Sequence, residues 1–254
     1  TDSAVVWSQA ITGSHGLTKA GTANLTLSGA NSYTGITNVT AGQLTVSNSS
    51  ALGSTAAGTV VSSGAEVLIN TSNLSIAEAF TIAGTGITGA LHVGGNATGL
   101  VLSGAVSLSD DAKLQFDGGT DTKITGGISL GANDLNINGG GNLTVETNGI
   151  SGTGSVSKTG NGLVVFDANN TYSGGTSIEA GTLRGSVGTG ALSVAADATY
   201  ELNGADRTLG TLSGAGNVVL GGNNLTTGDS TNSTFSGVIS GTGGLTKAGT
   251  GTLE

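Results

Sequence analysis

Residues 16–44 read GLTKAGTANLTLSGANSYTGITNVTAGQL, and this passage recurs along the chain. A second copy, GSVSKTGNGLVVFDANNTYSGGTSIEAGTL, occupies residues 154–183 and aligns without a gap when Lys158 is placed on Lys19. A third copy, GLTKAGTGTLE, fills residues 244–254. A long repeat in a chain of 254 residues predicts an architecture of stacked, similar units rather than an ordinary globule.

The composition narrows the class of protein. The chain has 48 Gly but no Pro, Cys or Met, and only 9% of its residues are charged, against about a quarter in typical domains. A chain without Pro can donate backbone N–H groups along its whole length, and abundant Gly allows many tight corners. The net charge is −9 and the seven Lys and Arg are scattered, so we expect no nucleic-acid partner.

Apolar residues alternate with Ser, Thr and Asn in short segments. This period of two predicts strands with one buried face, separated by Gly- and Asn-rich corners. Examples are Leu25–Leu27, Leu44–Val46, Val67–Ile69, Leu114–Phe116 and Leu135–Ile137. The exception is Ser75–Phe80, SIAEAF, which predicts a short turn of helix.

The spacing of these segments predicts the fold. Apolar anchors recur about every 23 residues, at Leu25, Leu44, Val67, Leu91, Leu114, Leu135, Val164, Leu183, Leu202, Leu225 and Leu253. A unit of this length without helices must stack on its neighbours to bury its apolar side. We therefore predict an all-β, parallel β-helix of roughly ten to twelve turns, on the order of 50 Å long. A β-sandwich or a propeller explains the near-identical passages less well.

Residues 235–253, FSGVISGTGGLTKAGTGTL, resemble the passenger-associated repeat of monomeric autotransporters, the type V secreted proteins of Gram-negative bacteria. The block LSGAGNVVLGGNNL at residues 212–225 is similar to the passage that precedes such repeats. The resemblance implies a right-handed parallel β-helix, carried to the cell surface through a C-terminal β-barrel of the same protein. Residues 1–254 would then be one continuous passenger fragment of a longer protein, without that barrel.

The resemblance also implies a function. Passengers of this kind are often adhesins or self-associating surface proteins, with a part in virulence. We therefore expect an extracellular stalk whose partner is a host-cell surface, the matrix or another copy of itself. The repeat copies would occupy residues 16–53, 154–184 and 244–254, the last of them truncated.

Three short motifs match enzyme or cofactor signatures. Residues 84–89, GTGITG, fit the dinucleotide pattern, but no helix or acidic partner follows, so we interpret them as a corner. Residues 228–230, Gly-Asp-Ser, resemble an esterase nucleophile block, and residues 175–177, Gly-Thr-Ser, resemble a protease nucleophile. Neither serine has a His nearby in the sequence, and a serine without a base is a poor nucleophile.

The charged residues also suggest no site. His15 and His92 are 77 residues apart and Cys is absent, so no zinc spacing occurs. The densest acidic group, Asp110–Asp111 with Asp117 and Asp121, is interpreted as a solvated loop rather than a calcium site. We expect neither metal nor cofactor, and no catalytic residue.

Two alternatives to an adhesive stalk remain open. The first is a glycan-active enzyme, which would need two carboxylates from Asp110, Asp117 and Glu201 on one face of neighbouring turns. The second is a solenoid that binds ice or another flat surface through rows of Thr and Ser. Asn31 and Asn170, at matching places before a Tyr, are interpreted as corner residues that bond neighbouring backbone or adopt a left-handed conformation.

Overall fold

The chain winds as a parallel β-solenoid of about twelve turns in a computed structural model that describes residues 3–254. All pairings between the described strands are parallel, and no residue from 3 to 254 lies in a helix. Hence no helix in this range has the length and apolar character needed to span a bilayer. The predicted all-β fold and number of turns are confirmed.

The strands are short, most of them three to five residues long. In the first part of the chain they are β1 (Val5–Trp7), β2 (Leu17–Lys19), β3 (Leu25–Leu27), β4 (Thr37–Val39), β5 (Gln43–Val46), β6 (Thr59–Val61), β7 (Glu66–Ile69), β8 (Ser75–Ile76), β9 (Phe80–Gly84), β10 (Leu91–Val93) and β11 (Leu100–Leu102). The middle part contains β12 (Val106–Phe116), β13 (Asp121–Ile124), β14 (Ile128–Ser129), β15 (Leu135–Gly139), β16 (Asn142–Val145), β17 (Ile150–Ser151), β18 (Val156–Thr159) and β19 (Leu163–Phe166). The last part contains β20 (Thr176–Ile178), β21 (Gly181–Gly185), β22 (Leu192–Val194), β23 (Ala198–Glu201), β24 (Arg207–Leu209), β25 (Leu212–Gly214), β26 (Asn217–Gly221), β27 (Leu225–Thr227), β28 (Val238–Gly241) and β29 (Leu245–Lys247).

The strands form three faces. Face A contains β1, β3, β5, β7, β10, the second half of β12, β15, β18, β20, β22 and β25. Face B contains β8, β11, β13, β16, β19, β21, β23, β26 and β28. Face C contains β2, β4, β6, β9, the first half of β12, β14 and β17, and resumes with β24, β27 and β29. Face C is therefore interrupted between β17 and β24.

The core is a stack of aliphatic side chains inside the three faces. Leu44, Val67, Leu91 and Leu114 lie directly over one another in consecutive turns of face A, and all four are buried. Each fully buried aliphatic side chain contributes about 1.5–3 kcal/mol relative to exposure. No turn could bury this apolar side alone, so each turn stabilises its neighbours.

Beyond Leu114, the apolar anchors identified in the sequence no longer lie over one another in one column. Leu114 faces Ile137, and Leu135 faces Ala112 instead. Val164 and Leu183 do stack on each other, but on face B. The alternating pattern fixes which side chains point inward, but both Leu135 and Ile137 satisfy it. A shift of two residues is therefore invisible in the sequence.

The predicted helical turn at Ser75–Phe80 is wrong. Ser75–Ile76 form β8, Phe80 begins β9, and burial alternates from one residue to the next between them. The helix propensity of Ala and Glu is a weak preference, and pairing of these strands with neighbouring turns overrides it. Glu78 consequently faces inward, where the Thr59 hydroxyl donates to Oε1 at 3.0 Å and burial raises the pKa of its carboxyl.

The repeat has a structural basis in its lysine. Lys19 and Lys158 point into the solenoid and are buried, although inward positions were predicted to be aliphatic. The Nζ atom of Lys158 donates to the carbonyl oxygens of Gly160 at 2.7 Å and Ala180, in the next turn, at 2.9 Å. Lys19 makes the equivalent bonds in the first copy. The lysine thus joins two stacked glycine corners, which explains why Lys and Gly recur together.

The repeated asparagines also join turns. Asn31 Oδ1 accepts a hydrogen bond from Ile11 N at 2.8 Å, and its Nδ2 donates to Ala51 O at 2.6 Å. Asn170 likewise accepts from Ile150 N and donates to a carbonyl of the next turn. The predicted bonding of neighbouring backbone is confirmed, whereas neither residue has the left-handed conformation.

Candidate functional site

The three carboxylates of the enzyme hypothesis do not converge. Asp110 and Asp117 flank the face A segment of β12, Ala112–Phe116, whose length separates their backbone positions by about 13 Å or more. Retaining and inverting glycosidases need separations of about 5 to 10 Å. Glu201 lies on face B, where Arg184 Nε donates to its Oε2 at 2.6 Å.

Carboxylates at the corner before face A accept hydrogen bonds from backbone N–H groups of the next turn. Asp111 Oδ1 accepts a hydrogen bond from Asp134 N, one turn on, at 2.8 Å. Asp134 Oδ1 in turn accepts from Ser155 N at 2.7 Å. Across residues 3–254, no group of three His, Asp or Glu side chains is arranged to hold a metal ion.

Residues of both serine motifs make hydrogen bonds within the fold. Thr176, between Gly175 and Ser177, is buried, and its hydroxyl lies 2.7 Å from the Tyr172 hydroxyl. Asp229 Oδ1 accepts a hydrogen bond from Thr231 N at 2.6 Å, which closes the turn around Ser230. Neither serine has a histidine partner among the described residues.

The most organised polar cluster is on face A and joins three consecutive turns. His92 lies between two carboxylates: its Nδ1 is 3.1 Å from Glu66 Oε1, and its Nε2 is 3.0 Å from Asp117 Oδ2. Gln115 Nε2 donates to the other oxygen of Asp117 at 3.2 Å. We call Glu66, His92 and Asp117 the histidine clasp.

The loop at residues 84–89 covers the Glu66 end of the clasp. Thr88 N donates to Glu66 Oε2 at 2.7 Å, and Gly89 N lies 3.4 Å from the same oxygen. Gln43 Nε2 donates to Glu66 Oε1 at 2.7 Å. The motif that resembles a dinucleotide loop therefore holds a carboxylate of its own chain, and its prediction as a corner is confirmed.

The environment of the clasp favours its charged form. Burial alone would raise the pKa of Glu66, but the hydrogen bonds from His92, Thr88 and Gln43 outweigh it and the pKa is lowered. Burial alone would lower the pKa of His92, but its bonds to the two carboxylates and their negative charges raise it. Both ring nitrogens of His92 face carboxylates, so the imidazole cannot activate a serine. The clasp joins three turns of face A through side chains.

Sequence reasoning missed the clasp because Glu66 and His92 are 26 residues apart. Their positions next to the stacked anchors Val67 and Leu91 were the available signal. In an alternating strand, both neighbours of an inward anchor point outward, so Glu66 and His92 lie on the outer side of face A in adjacent turns, two positions apart along the strand, within reach of long side chains.

The comparisons with known proteins agree with this architecture. Residues 17–46 and 156–184 match the family described as Passenger-associated-transport-repeat. The chain is 43% identical over 105 residues to a protein of Brucella suis biovar 1 (strain 1330) named Adhesin BmaC autotransporter. That match covers 37% of this chain and 3% of the relative. No solved structure matches the chain significantly.

Proposed function

We propose that the chain, which matches the passenger-associated transport repeat twice, is part of an autotransporter passenger and acts as a non-enzymatic, extracellular adhesion or self-association stalk. The relative's name describes an adhesin, but only 3% of that protein corresponds to this chain. Display outside the cell follows from the route that autotransporter passengers take.

A polar ladder on face A carries the proposal. Ser157, Ser177, Ser193 and Ser213 lie in register in consecutive turns and point away from the core. Adjacent turns are about 4.8 Å apart, so these hydroxyls form a regular row on a rigid rod. Such a row favours many weak contacts with an extended surface over one deep pocket. Because the candidate carboxylates do not converge, the glycan-active alternative has no supporting geometry.

The proposal is tested with beads coated with the chain. Adhesion to epithelial cells and to extracellular matrix is counted, and self-association is followed by sedimentation. We expect the double variant Ser177→Arg and Ser193→Arg to reduce adhesion or self-association several-fold, whichever the wild-type chain shows, because the long charged side chains disrupt the row.

The matched control is Thr182→Arg with Thr199→Arg, a pair in neighbouring turns of face B, which should leave binding unchanged. A wild-type chain that neither adheres nor self-associates would contradict the proposal and leave a pure stalk. An equal loss in both double variants would show that face A has no special part.

A further inference from the structure

A small cleft lies where face C is interrupted. The successive turns of face A are 19 to 24 residues long, except for the turn from Thr176 to Leu192, which has 16. This shortest turn has no strand on face C. The loop of this turn therefore leaves a gap beside β24, the first strand of face C after the interruption.

The cleft has a volume of about 140 Å³ and a polar lining. A water molecule occupies about 30 Å³ in the liquid, and pockets for drug-sized ligands hold about 300–1,000 Å³. The cleft can therefore receive one small ring or a group of similar size. The residues that line it include Asn169, Thr189, Asp206, Arg207 and Thr208.

Arg207 gives the cleft a cationic group with unused donors. Its Nε donates to Leu202 O at 3.3 Å, and its terminal nitrogens have no hydrogen bond or ion pair within residues 3–254. The neighbouring Asp206 is already engaged, because Asn224 donates to one oxygen through its backbone N at 2.7 Å and to the other through Nδ2 at 3.3 Å. These bonds lower the pKa of the Asp206 carboxyl, which stays negatively charged, and Arg207 supplies the cationic group with free donors.

The other available groups are neutral. The hydroxyls of Thr189 and Thr208 and the amide of Asn169 make no side-chain hydrogen bond to any described residue. Hydroxyls and amides match the hydroxyl groups of a sugar ring, and a guanidinium binds a carboxylate through two parallel hydrogen bonds. The net charge of −9 disfavours an extended polyanion but not one acidic unit.

We propose that this cleft, formed by Asn169, Thr189, Arg207 and Thr208, binds a single acidic sugar unit whose carboxylate pairs with Arg207. The proposal rests on the proposed function, because it names a chemical class of partner for the displayed stalk. It places that partner at the interruption of face C rather than along the serine ladder.

The test is a titration of the isotope-labelled chain with glucuronate, followed by the amide NMR signals of residues 186–190 and 206–208. We expect saturable shifts of these signals with glucuronate. Glucose, which lacks the carboxylate, should bind about tenfold or more weakly, and acetate, which lacks the ring, should cause no saturable shifts. Arg207→Gln should weaken glucuronate binding about tenfold or more, and Thr189→Val a few-fold. Arg184→Gln, at the ion-paired arginine of face B, should leave it unchanged.

Thermal unfolding identifies a variant that fails to fold. If Arg207→Gln fails to fold, Thr189→Val provides the test instead, because valine keeps the shape of the threonine side chain. No saturable shift with glucuronate, equal binding by Arg207→Gln and wild type, or equal shifts with acetate would each overturn the proposal. Cell adhesion is measured separately. Adhesion without glucuronate binding would refute only the cleft, and glucuronate binding without adhesion or self-association would refute only the adhesive function.

Discussion

His92 and Glu66 are 26 residues apart in sequence, yet Nδ1 of His92 lies 3.1 Å from Oε1 of Glu66 in the adjacent turn. With Asp117 they connect three turns of face A through side chains, beside the backbone ladders. The clasp thus supplies side-chain contacts between turns beside the Gly-containing loop at residues 84–89.

The histidine clasp predicts a pH-dependent stability. The pKa of His92 is raised by folding, so its contribution is present below about pH 6.5 and is lost as the pH rises through the folded pKa. The pKa of Glu66 is lowered, so its contribution is present above about pH 4.5 and is lost as the pH falls through its folded value. The clasp therefore contributes most between about pH 4.5 and 6.5.

We expect His92→Gln to lower the free energy of unfolding by about 1–3 kcal/mol at pH 5.5 and by less at pH 8.5, measured by urea denaturation. His15→Gln, at an exposed position, is the control and should match wild type at both pH values. A deficit that is the same at pH 5.5 and 8.5 would show that a charged His92 is not required.

The buried repeat lysine predicts a second pH effect. Burial lowers the pKa of Lys158 to about 8, whereas in the unfolded chain it is about 10.5. Between pH 8 and 10.5 the unfolded chain binds more protons than the folded chain. The free energy of unfolding therefore rises with pH across this range, by about 3 kcal/mol. Lys158→Met should remove this contribution, so that the free energy of unfolding rises less steeply with pH than in wild type in a series of urea denaturations from pH 7.5 to 10.

The control is Lys247→Met in the third copy, where the lysine is exposed. This variant should keep the rise. Burial raises the pKa values of Tyr33, Tyr172 and Tyr200, so these tyrosines lower the free energy of unfolding as the pH rises to where they ionise. Comparing variants at the same pH cancels this effect. A rise as large in Lys158→Met as in wild type would mean that the ammonium of Lys158 is not held at an inward corner.

The alternation of inward and outward residues is tested in β22. Val194 is buried and Ser193 is exposed, although they are neighbours in the chain. A carboxylate at the inward position has no partner, so Val194→Asp should destabilise the fold by several kcal/mol or prevent folding. Ser193→Asp should change the melting temperature little. Equal effects in thermal unfolding would contradict the inward assignment.

Gln115 is a poorer control for the same test. It lies beside the inward Leu114 and points outward, as the alternation predicts, but it is also buried and bonds Asp117. We expect Leu114→Asp to disrupt folding and Gln115→Asp to cost stability as well, because it adds a carboxylate beside Asp117.

The sequence alone predicted the parallel solenoid, its number of turns and the corner role of Asn31 and Asn170. These follow from local rules, namely the alternation within strands and the recurrence of the repeat. The register beyond Leu114 could not be predicted, since two inward residues of β15 satisfy the same pattern.

The polar clusters were beyond prediction for a different reason. The histidine clasp and the cleft at Arg207 depend on which residues meet between turns, and hence on the length of each loop. A 16-residue turn followed by one of 20 residues moves whole loops relative to their neighbours. Composition and spacing of motifs do not contain that information.

The most direct test of the stacked architecture uses engineered disulfides, because the chain has no cysteine of its own. Ser177 and Ser193 face each other in adjacent turns, whereas Ser177 and Ser213 are two turns apart. Disulfides require Cα atoms about 4.4–6.8 Å apart, which suits one turn at about 4.8 Å but not two. Under mild oxidation we expect the pair Ser177→Cys and Ser193→Cys to form an intramolecular disulfide, detected by mass spectrometry, and Ser177→Cys with Ser213→Cys to remain reduced. Failure of the adjacent pair, or equal crosslinking of both pairs, would contradict a parallel solenoid.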